Sequence, residues 1–300
     1  MNRFVEEHRG RFGVEPICRV LDATPSTYYA ARVRPPSDRA LYDEWLLDHI
    51  RRVYDDNYGV YGARKVWKQL LRENIACARC TVERLMRREG LVGVRRGRTF
   101  KTTKADPNAE MPLDLVNRQF KADRPNALWI ADITYVRTWA GRVYTAFVID
   151  VYSRLIVGWS IATHIKAELA LDGLEMAIWQ RDRDLDGLIH HSDRGSQYTA
   201  IVYTDRMIDE GIDSSVGSVG DSYDNAMAET VIGLYKTELI HRRGPWRRFE
   251  DVEIATLEWI DWWNRRRIHS AIGDVPPAEF EAAFAASFNE NDIGRAVDEN

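Results

Sequence analysis

Four residues in the later part of the chain have the types and spacing for phosphoryl chemistry: Asp132, Asp193, Glu229 and Lys236. Asp132 stands inside the apolar run 128-LWIADITYV-136, where a carboxylate is costly unless it is paired or binds a metal. Asp193 follows the switch from apolar to polar residues in 188-LIHHSDRGSQYT-199. Glu229 lies one turn into the helical pattern 224-DNAMAETVIGLYKTEL-239. Lys236 comes two helical turns later and shares its face, well placed for a phosphate. Three carboxylates at one point repel unless divalent cations are present. All-oxygen ligands select hard ions, so the implied cofactor is Mg²⁺, with Mn²⁺ able to substitute. Two such ions about 4 Å apart activate an attacking oxygen and stabilise a leaving one.

Those acids meet only if the chain folds in a particular order. Segments 127–138, 142–153 and 154–163 are β-branched and aromatic and read as three consecutive strands. A helix over 166–181, a strand over 187–192, a helix over 199–211 and a short strand within 212–216 follow, then the helix of Glu229. The order βββ-α-β-α-β-α predicts a mixed α/β layered domain. If the fourth strand runs beside the first, Asp132 and Asp193 become neighbours, and a helix packed across the sheet brings Glu229 to them. Asp150 is the rival acid and is expected to pair with Arg154. Asp221 and Asp224 read as turn and N-cap residues, with Asp224 the next candidate should Glu229 not be the third ligand.

Charge separates the chain into unlike parts. The net charge is −4 overall, yet residues 61–104 hold 13 Lys and Arg against 3 Asp and Glu. Such asymmetry points to a basic binding module joined to something acidic. A proline break at 34-RPPS-37 closes an N-terminal helical segment, 1–37, in which 24-TPSTYYAAR-32 reads as a capped helix. Residues 38–92 are helical in pattern, with Leu41, Trp45, His49 and Val53 spaced four apart along the first helix and Ser37 or Asp38 as its cap. Helices over 63–74 and 80–91, joined by a tight turn, fit a helix-turn-helix that presents Arg84, Arg87 and Arg88 to DNA. A basic linker, 93–124, carries Arg95 and Arg96 for phosphates. The core spans 125–285, and 286–300 is an acidic tail.

Other groups carry less. His190 and His191 are adjacent on a strand and point to opposite faces, so they do not read as a zinc pair; one is expected in the core and the other near the site. 77-CARC-80 lacks a second ligand pair, and three cysteines make no disulfide framework, in keeping with a reducing cytoplasm. No apolar run spans a membrane and no export signal is visible. In 257-LEWIDWWNRRRIHSAIG-273 the tryptophans read as helix core, with Arg265, Arg266, Arg267 and His269 expected to contact DNA. Residues 278–288 read as a short closing helix.

Four ordered stretches, 128-LWIADITYV-136, 190-HHSDRGSQYT-199, 224-DNAMAETVIGLYKTEL-239 and 262-WWNRRRIHSAIGDVPPAEF-280, resemble the motifs of the D-D-E integrase core. The 35 residues between Asp193 and Glu229 match the separation that names the D-D-35-E group. The chain resembles the larger, OrfB product of IS-three family insertion sequences over roughly residues 38–285. The resemblance implies a ribonuclease-H-like core and a DNA transposase in which Asp132, Asp193 and Glu229 hold two Mg²⁺ ions. Water would cut a phosphodiester at the element's end, and the freed 3′-hydroxyl would join it to other DNA, giving a circular form before insertion. It implies a homo-oligomer on terminal-repeat and target DNA, pairing or fusion with an upstream OrfA product, and a place at the bacterial nucleoid. A catalytically silent repressor that competes for element ends, and a nuclease that only hydrolyses, are the alternatives.

Overall fold

The computed structural model describes residues 1–95, 122–181, 185–193, 195–216 and 226–298, with burial assigned as far as residue 287. Its chain forms two compact units, Met1–Arg52 and Val53–Asn300. In the first, α1 (Asn2–Phe12), α2 (Val14–Val20) and α3 (Pro25–Val33) close around Val5, Ile17, Cys18 and Tyr28. Pro25 opens α3 at the position where its missing N–H costs nothing. Helix α4 (Asp38–Asp56) begins with the Ala40 N–H donating to the Ser37 hydroxyl at 3.3 Å. The expected stripe on α4 is not its buried face: Leu41 and Trp45 are exposed, and Leu46, Leu47, Ile50 and Val53 are buried. Steps of four residues drift about 40° each around a helix of 3.6 residues per turn, so Leu41 and Val53 cannot share a stripe. The buried set follows the true period.

The second unit holds more than the core expected at 125–285. Helices α5 (Ala63–Arg72) and α6 (Arg79–Arg88) belong to it, so the module expected over 38–92 divides between the units at residues 52 and 53. Side chains of 57–72 are tied to the C-terminal segment. Asn57 Oδ1 accepts from Trp262 Nε1 at 3.0 Å, the Ile268 N–H donates to the Tyr61 hydroxyl at 2.8 Å, and Arg64 grips both carboxylate oxygens of Asp274 at 3.1 and 3.0 Å.

Five strands form one sheet: β1 (Leu128–Thr138), β2 (Gly141–Asp150), β3 (Ile156–Ala162), β4 (Ile189–Ser192) and β5 (Asp213–Val216). Their spatial order is β3-β2-β1-β4-β5, with β1, β2 and β3 antiparallel and β4 and β5 running parallel to β1. This is the ribonuclease-H-like arrangement that the motifs imply. Helices α7 (Ala167–Gln180) and α8 (Ile201–Asp209) cover one face, packing Leu174, Ile178, Tyr203 and Met207 on Trp129, Ala131 and Val148. A Cβ on Gly158 would stand 2.1 Å from the Gly173 carbonyl oxygen, so glycine is what lets α7 lie this close to β3. The opposite face takes α9 (Ala226–Tyr235) and α11 (Phe249–Arg265), where Phe147, Tyr235 and Trp259 form an edge-to-face aromatic layer. Between them lie a π-helical turn, Lys236–Ile240, and the single turn α10 (His241–Arg243). Helix α12 (Pro277–Asp298) is longer than the closing helix expected over 278–288 and runs through the acidic tail. No described helix is long and apolar enough to cross a membrane.

Two buried polar clusters pin the sheet. Asp150 does not pair with Arg154. Its carboxylate instead accepts from the N–H groups of Asn126 and Ser153 and from the Ser153 hydroxyl, at 2.7 to 3.1 Å, with Arg181 at 3.9 Å. It serves as the turn acceptor after β2, and Arg154 beside it adopts φ 68 to close that turn. Asn264 satisfies the outer edge of β3, accepting from Ile156 N–H and donating to Ile156 O, both at 2.9 Å.

Neither histidine of β4 faces the acids as an open contact. Both are buried: His190 bonds Tyr203 OH at 3.0 Å and His191 bonds Ser215 Oγ at 3.0 Å. Burial pushes His190 down to about 4. Its ordinary value is near 6.5, so between these two values the unfolded chain binds the proton that the folded chain refuses. Stability contributed by neutral His190 is therefore whole above pH 6.5 and lost progressively towards pH 4. Denaturant unfolding is expected to show that slope in wild type and a flatter one in His190→Gln.

Candidate active site

The β1–β4 ladder decides where the first two acids meet. Its register pairs Trp129 with His190, Ile130 with His191 and Ala131 with Ser192. One further step sets Asp132 beside Asp193, at the neighbouring-strand spacing of about 4.8 Å between backbones. Alternation along β1 turns Asp132 to the face of Ile130, the side on which α9 packs. Asp193 is exposed just past the end of β4, and one of its oxygens accepts from Gly195 N–H at 3.0 Å.

Helix α9 supplies the third acid. Its face of Met227, Ala228, Val231, Ile232 and Tyr235 is buried, which leaves Glu229 exposed in the first turn. The Asp132 carboxyl is raised to about 7, first by burial and then by the charge of Asp193, with Glu229 adding to it. The Ile133 N–H, donating to Asp132 Oδ1 at 2.7 Å, and the Lys236 ammonium oppose that rise. All four residues thus act on one carboxylate. Among the described residues no three His, Cys, Asp or Glu side chains already close around a point as a metal cage. The acids form an open cluster, with Asp193 and Glu229 on exposed side chains. The donor set is all oxygen and all anionic, which fits hard divalent cations.

Lys236 is half-buried at the start of the π-helical turn, its ammonium 5.5 Å from the centre of the Tyr135 ring. Two buried residues escaped the sequence reading. Burial, then Tyr203 and the charges of Asp132 and Asp193, push the Tyr198 hydroxyl far above the ordinary range; an aromatic five residues past an acid carries no signal of its own. Glu238 is buried two residues after Lys236 and takes both nitrogens of Arg267, at 3.0 and 2.6 Å.

That pair corrects part of the expected DNA surface. Arg267 and His269 are buried, with Arg267 against the Trp262 and Trp263 rings and His269 bonded to it at 3.3 Å. Their role is internal, because a guanidinium sealed by a bidentate carboxylate and two indoles has no face left for phosphate. Arg265 and Arg266 are exposed and lie 3.4 and 3.7 Å from Asp261. On α6, Arg84, Arg87 and Arg88 are exposed opposite buried Val82, Leu85 and Met86, and Arg95 is exposed beyond it. Arg96, Asp221, Asp224 and most of the expected linker lie outside the described residues.

The chain matches the family described as integrase core domain over residues 122–222, a second so described over 210–277, and an HTH-like domain over 41–99. It is 56% identical over 266 residues to the putative transposase for insertion sequence element IS986/IS6110 of Mycobacterium tuberculosis, covering 87% of this chain and 96% of that one. It is 50% identical over 298 residues to the transposase for insertion sequence element IS629 of Shigella sonnei, covering 98% and 99%. Transposase InsF for insertion sequence IS3A of Escherichia coli is 31% identical over 283 residues, covering 93% and 97%. Among solved structures, the HTLV-2 integrase catalytic core domain in complex with magnesium aligns with a TM-score of 0.43 at 14% identity, over 54% of this chain and 99% of that one. That likeness is too loose to bear on the site.

Two stability measurements separate the roles assigned above. Without metal at pH 8, Asp132→Asn is expected to stabilise the protein, on the order of 1 kcal/mol, by removing a charge held among like charges. Excess MgCl₂ should raise the melting temperature of wild type and not of the variant. Arg267→Ala should cost about 3 to 5 kcal/mol by stranding buried Glu238, while the salt dependence of DNA binding stays as in wild type. Denaturant titrations and DNA binding at several salt concentrations check both.

Proposed function

The chain belongs to the IS3 family of insertion-sequence transposases, enzymes that cut and join DNA, and from that premise we propose how its residues divide the work. Asp132, Asp193 and Glu229 are the catalytic acids, and together they would hold two Mg²⁺ ions, with Mn²⁺ as a substitute. Bound there, such ions would lower the pKa of the attacking oxygen and stabilise charge on the leaving one. The observation that carries this reading is the β1–β4 register, which brings two acids from distant parts of the chain to one level while the charge of α9's Glu229 reaches the first.

The protein's own share follows from its geometry. Gly195 N–H holds one oxygen of Asp193 and Ile133 N–H holds one oxygen of Asp132, which leaves the other oxygen of each without that backbone contact. Lys236 binds a phosphate next to the acids and fixes the scissile group against them. In the first step a water oxygen attacks the phosphorus, the bond to the 3′ oxygen breaks, and a 3′-hydroxyl is freed. In the second, that hydroxyl attacks another phosphodiester and displaces its 3′ oxygen, so one bond forms for each that breaks. Joining the element's own ends in this way gives a circle before insertion.

Arg84, Arg87, Arg88, Arg95 and Arg96 are assigned to DNA outside the site, with α6 as the reading helix of the HTH-like segment. Because α5 and α6 share a compact unit with the core, the DNA they hold is delivered at a fixed distance from the acids. A homo-oligomer on paired element ends, an OrfA partner, and action at the nucleoid in the cytoplasm complete the proposal.

On a labelled duplex ending in the element's terminal repeat, wild type with Mn²⁺ or Mg²⁺ is expected to yield both nicked and joined products. Asp132→Asn, Asp193→Asn and Glu229→Gln should each lower the rate roughly 10³-fold, the equivalent of about 4 kcal/mol of transition-state stabilisation. Nicked strands that are never joined would favour the hydrolytic nuclease. Full activity in any of the three variants would overturn the assignment.

A further inference from the structure

Beyond the last β4 contact, at Ala131, strand β1 has no strand partner on that side among the described residues until Thr138 meets Trp246. The open edge between these points floors a groove of about 590 Å³, with Lys236 and His241 on one wall and Trp139 and Trp246 at the far end. Lys236 links the groove to the acids, since it both lines the groove and acts on Asp132. The lining on β1 runs from Tyr135 to Trp139, about 13 Å of extended strand.

Two features of the groove bear on what it could hold. It is aromatic: Tyr135 is 43% exposed and Trp139 70% exposed. Backbone hydrogen bonds hold the hairpin that carries Trp139. Trp139 N–H donates to Trp246 O at 3.0 Å and Ala140 N–H to Arg247 O at 3.2 Å. The groove is also basic. Among the described residues no acidic one lines it, and the Arg142 guanidinium lies 5.4 Å from the Tyr135 ring centre and that of Arg247 5.2 Å from the Trp139 ring centre. Arg137, exposed, lies between the two rings in sequence and lines the same groove.

Cations interleaved with exposed rings, in a channel leading away from a phosphoryl-transfer site, suit a polyanion whose bases can stack. A base inside a duplex offers no ring face to a side chain, so stacking requires unpaired nucleotides. We propose that the groove binds an unpaired stretch of the DNA strand that leaves the cleavage point, with bases stacked on Tyr135 and Trp139 and phosphates on Arg137 and Lys236. At about 3.4 Å per stacked nucleotide, about 13 Å holds about four. The inference rests on the transposase reading and adds a strand-separating step to it: the flanking duplex must open for cleavage or joining.

Fluorescence anisotropy with three hairpin duplexes tests it: one blunt, one with a tail of six thymidines, and one with a tail of six abasic sites. Wild type is expected to bind the thymidine tail about tenfold more tightly than the abasic tail, the usual weight of a stacked base. Trp139→Ala should lose that preference while binding the blunt and abasic forms as wild type does, and Trp139→Phe should keep most of it. Trp139 is exposed, so neither variant threatens the fold. Equal wild-type affinity for the two tails, or the same loss for both in Trp139→Ala, would overturn the stacking role and leave the transposase reading intact. Failure of wild type to bind even the blunt duplex would sink both.

Discussion

The parallel pairing of β1 with β4 is the contact on which this structure turns. Four residue pairs, Leu128 with Ile189 through Ala131 with Ser192, fix the register, and a slip of one residue would send Asp193 to the opposite face of the sheet. Parallel neighbours need a crossover, which α7 supplies between β3 and β4, and both faces must be covered to bury a strand such as 128-LWIA-131. The short length of β4 matters as much as its register. Because the β1–β4 ladder stops at Ser192, the next residue on each strand is released from that ladder, and those residues are Asp132, still paired to β2, and Asp193. The same ending leaves the remainder of β1 as an open edge beside Lys236. Site and groove are two consequences of one strand being four residues long.

A second constraint ties the helices to that sheet. Glu238 sits in a π-helical turn, where the extra residue in the turn changes which side chains face inward. Its carboxylate meets Arg267, the guanidinium rests on Trp262 and Trp263, and Trp262 donates to Asn57 at the end of α4. Lys65 of α5 is half-buried in the same neighbourhood and is lowered to about 7, chiefly by loss of solvent and then by Arg267. Buried charges of this kind contribute little net stability compared with apolar residues of the same shape, but they tolerate only one arrangement. The network therefore specifies how α5, the π-helical turn and the segment 262–269 fit together, and through that turn it sets the direction of Lys236.

Much of this was legible from residue types alone, for physical reasons that also mark where legibility ends. Strands β1 to β3 announce themselves because β-branched and aromatic runs between turn residues have few other uses, and Asp132 stands out because an acid amid Trp129, Ile130 and Ile133 demands an explanation. Arg267 could not be told from Arg265 and Arg266. Three consecutive arginines look alike until Glu238, 29 positions away, selects one of them for the interior. The stripe from Leu41 to Val53 misled because regular spacing by four imitates a helical face over two turns and departs from it over three. Asp150 was a local error: the chain reverses at Ser153 and Arg154, so the nearest partners of its carboxylate are backbone N–H groups. Trp139 gave no warning, since ten tryptophans in the chain made core the natural reading of each.

One tension is resolved by distance. After Lys104 the chain carries 20 basic and 33 acidic residues, an awkward balance for a surface that must hold DNA. Charges at physiological salt are screened within about 8 Å, so what a phosphate meets is the local set and not the sum. Glu175 and Glu210, on the α7 and α8 side, are taken up by Arg206, and Glu258 on α11 by Arg243. Around the open edge of β1 the groove is lined by Arg137, Lys236 and His241 without an acid, with Arg142 and Arg247 over its rings. Among the described residues that line the groove there is no acid, so the nearest negative charge at its Lys236 side is the acid cluster. If the three acids hold divalent cations as proposed, the bare cluster would repel a phosphate and the loaded one would not, so cation binding would gate access of DNA as well as the chemistry.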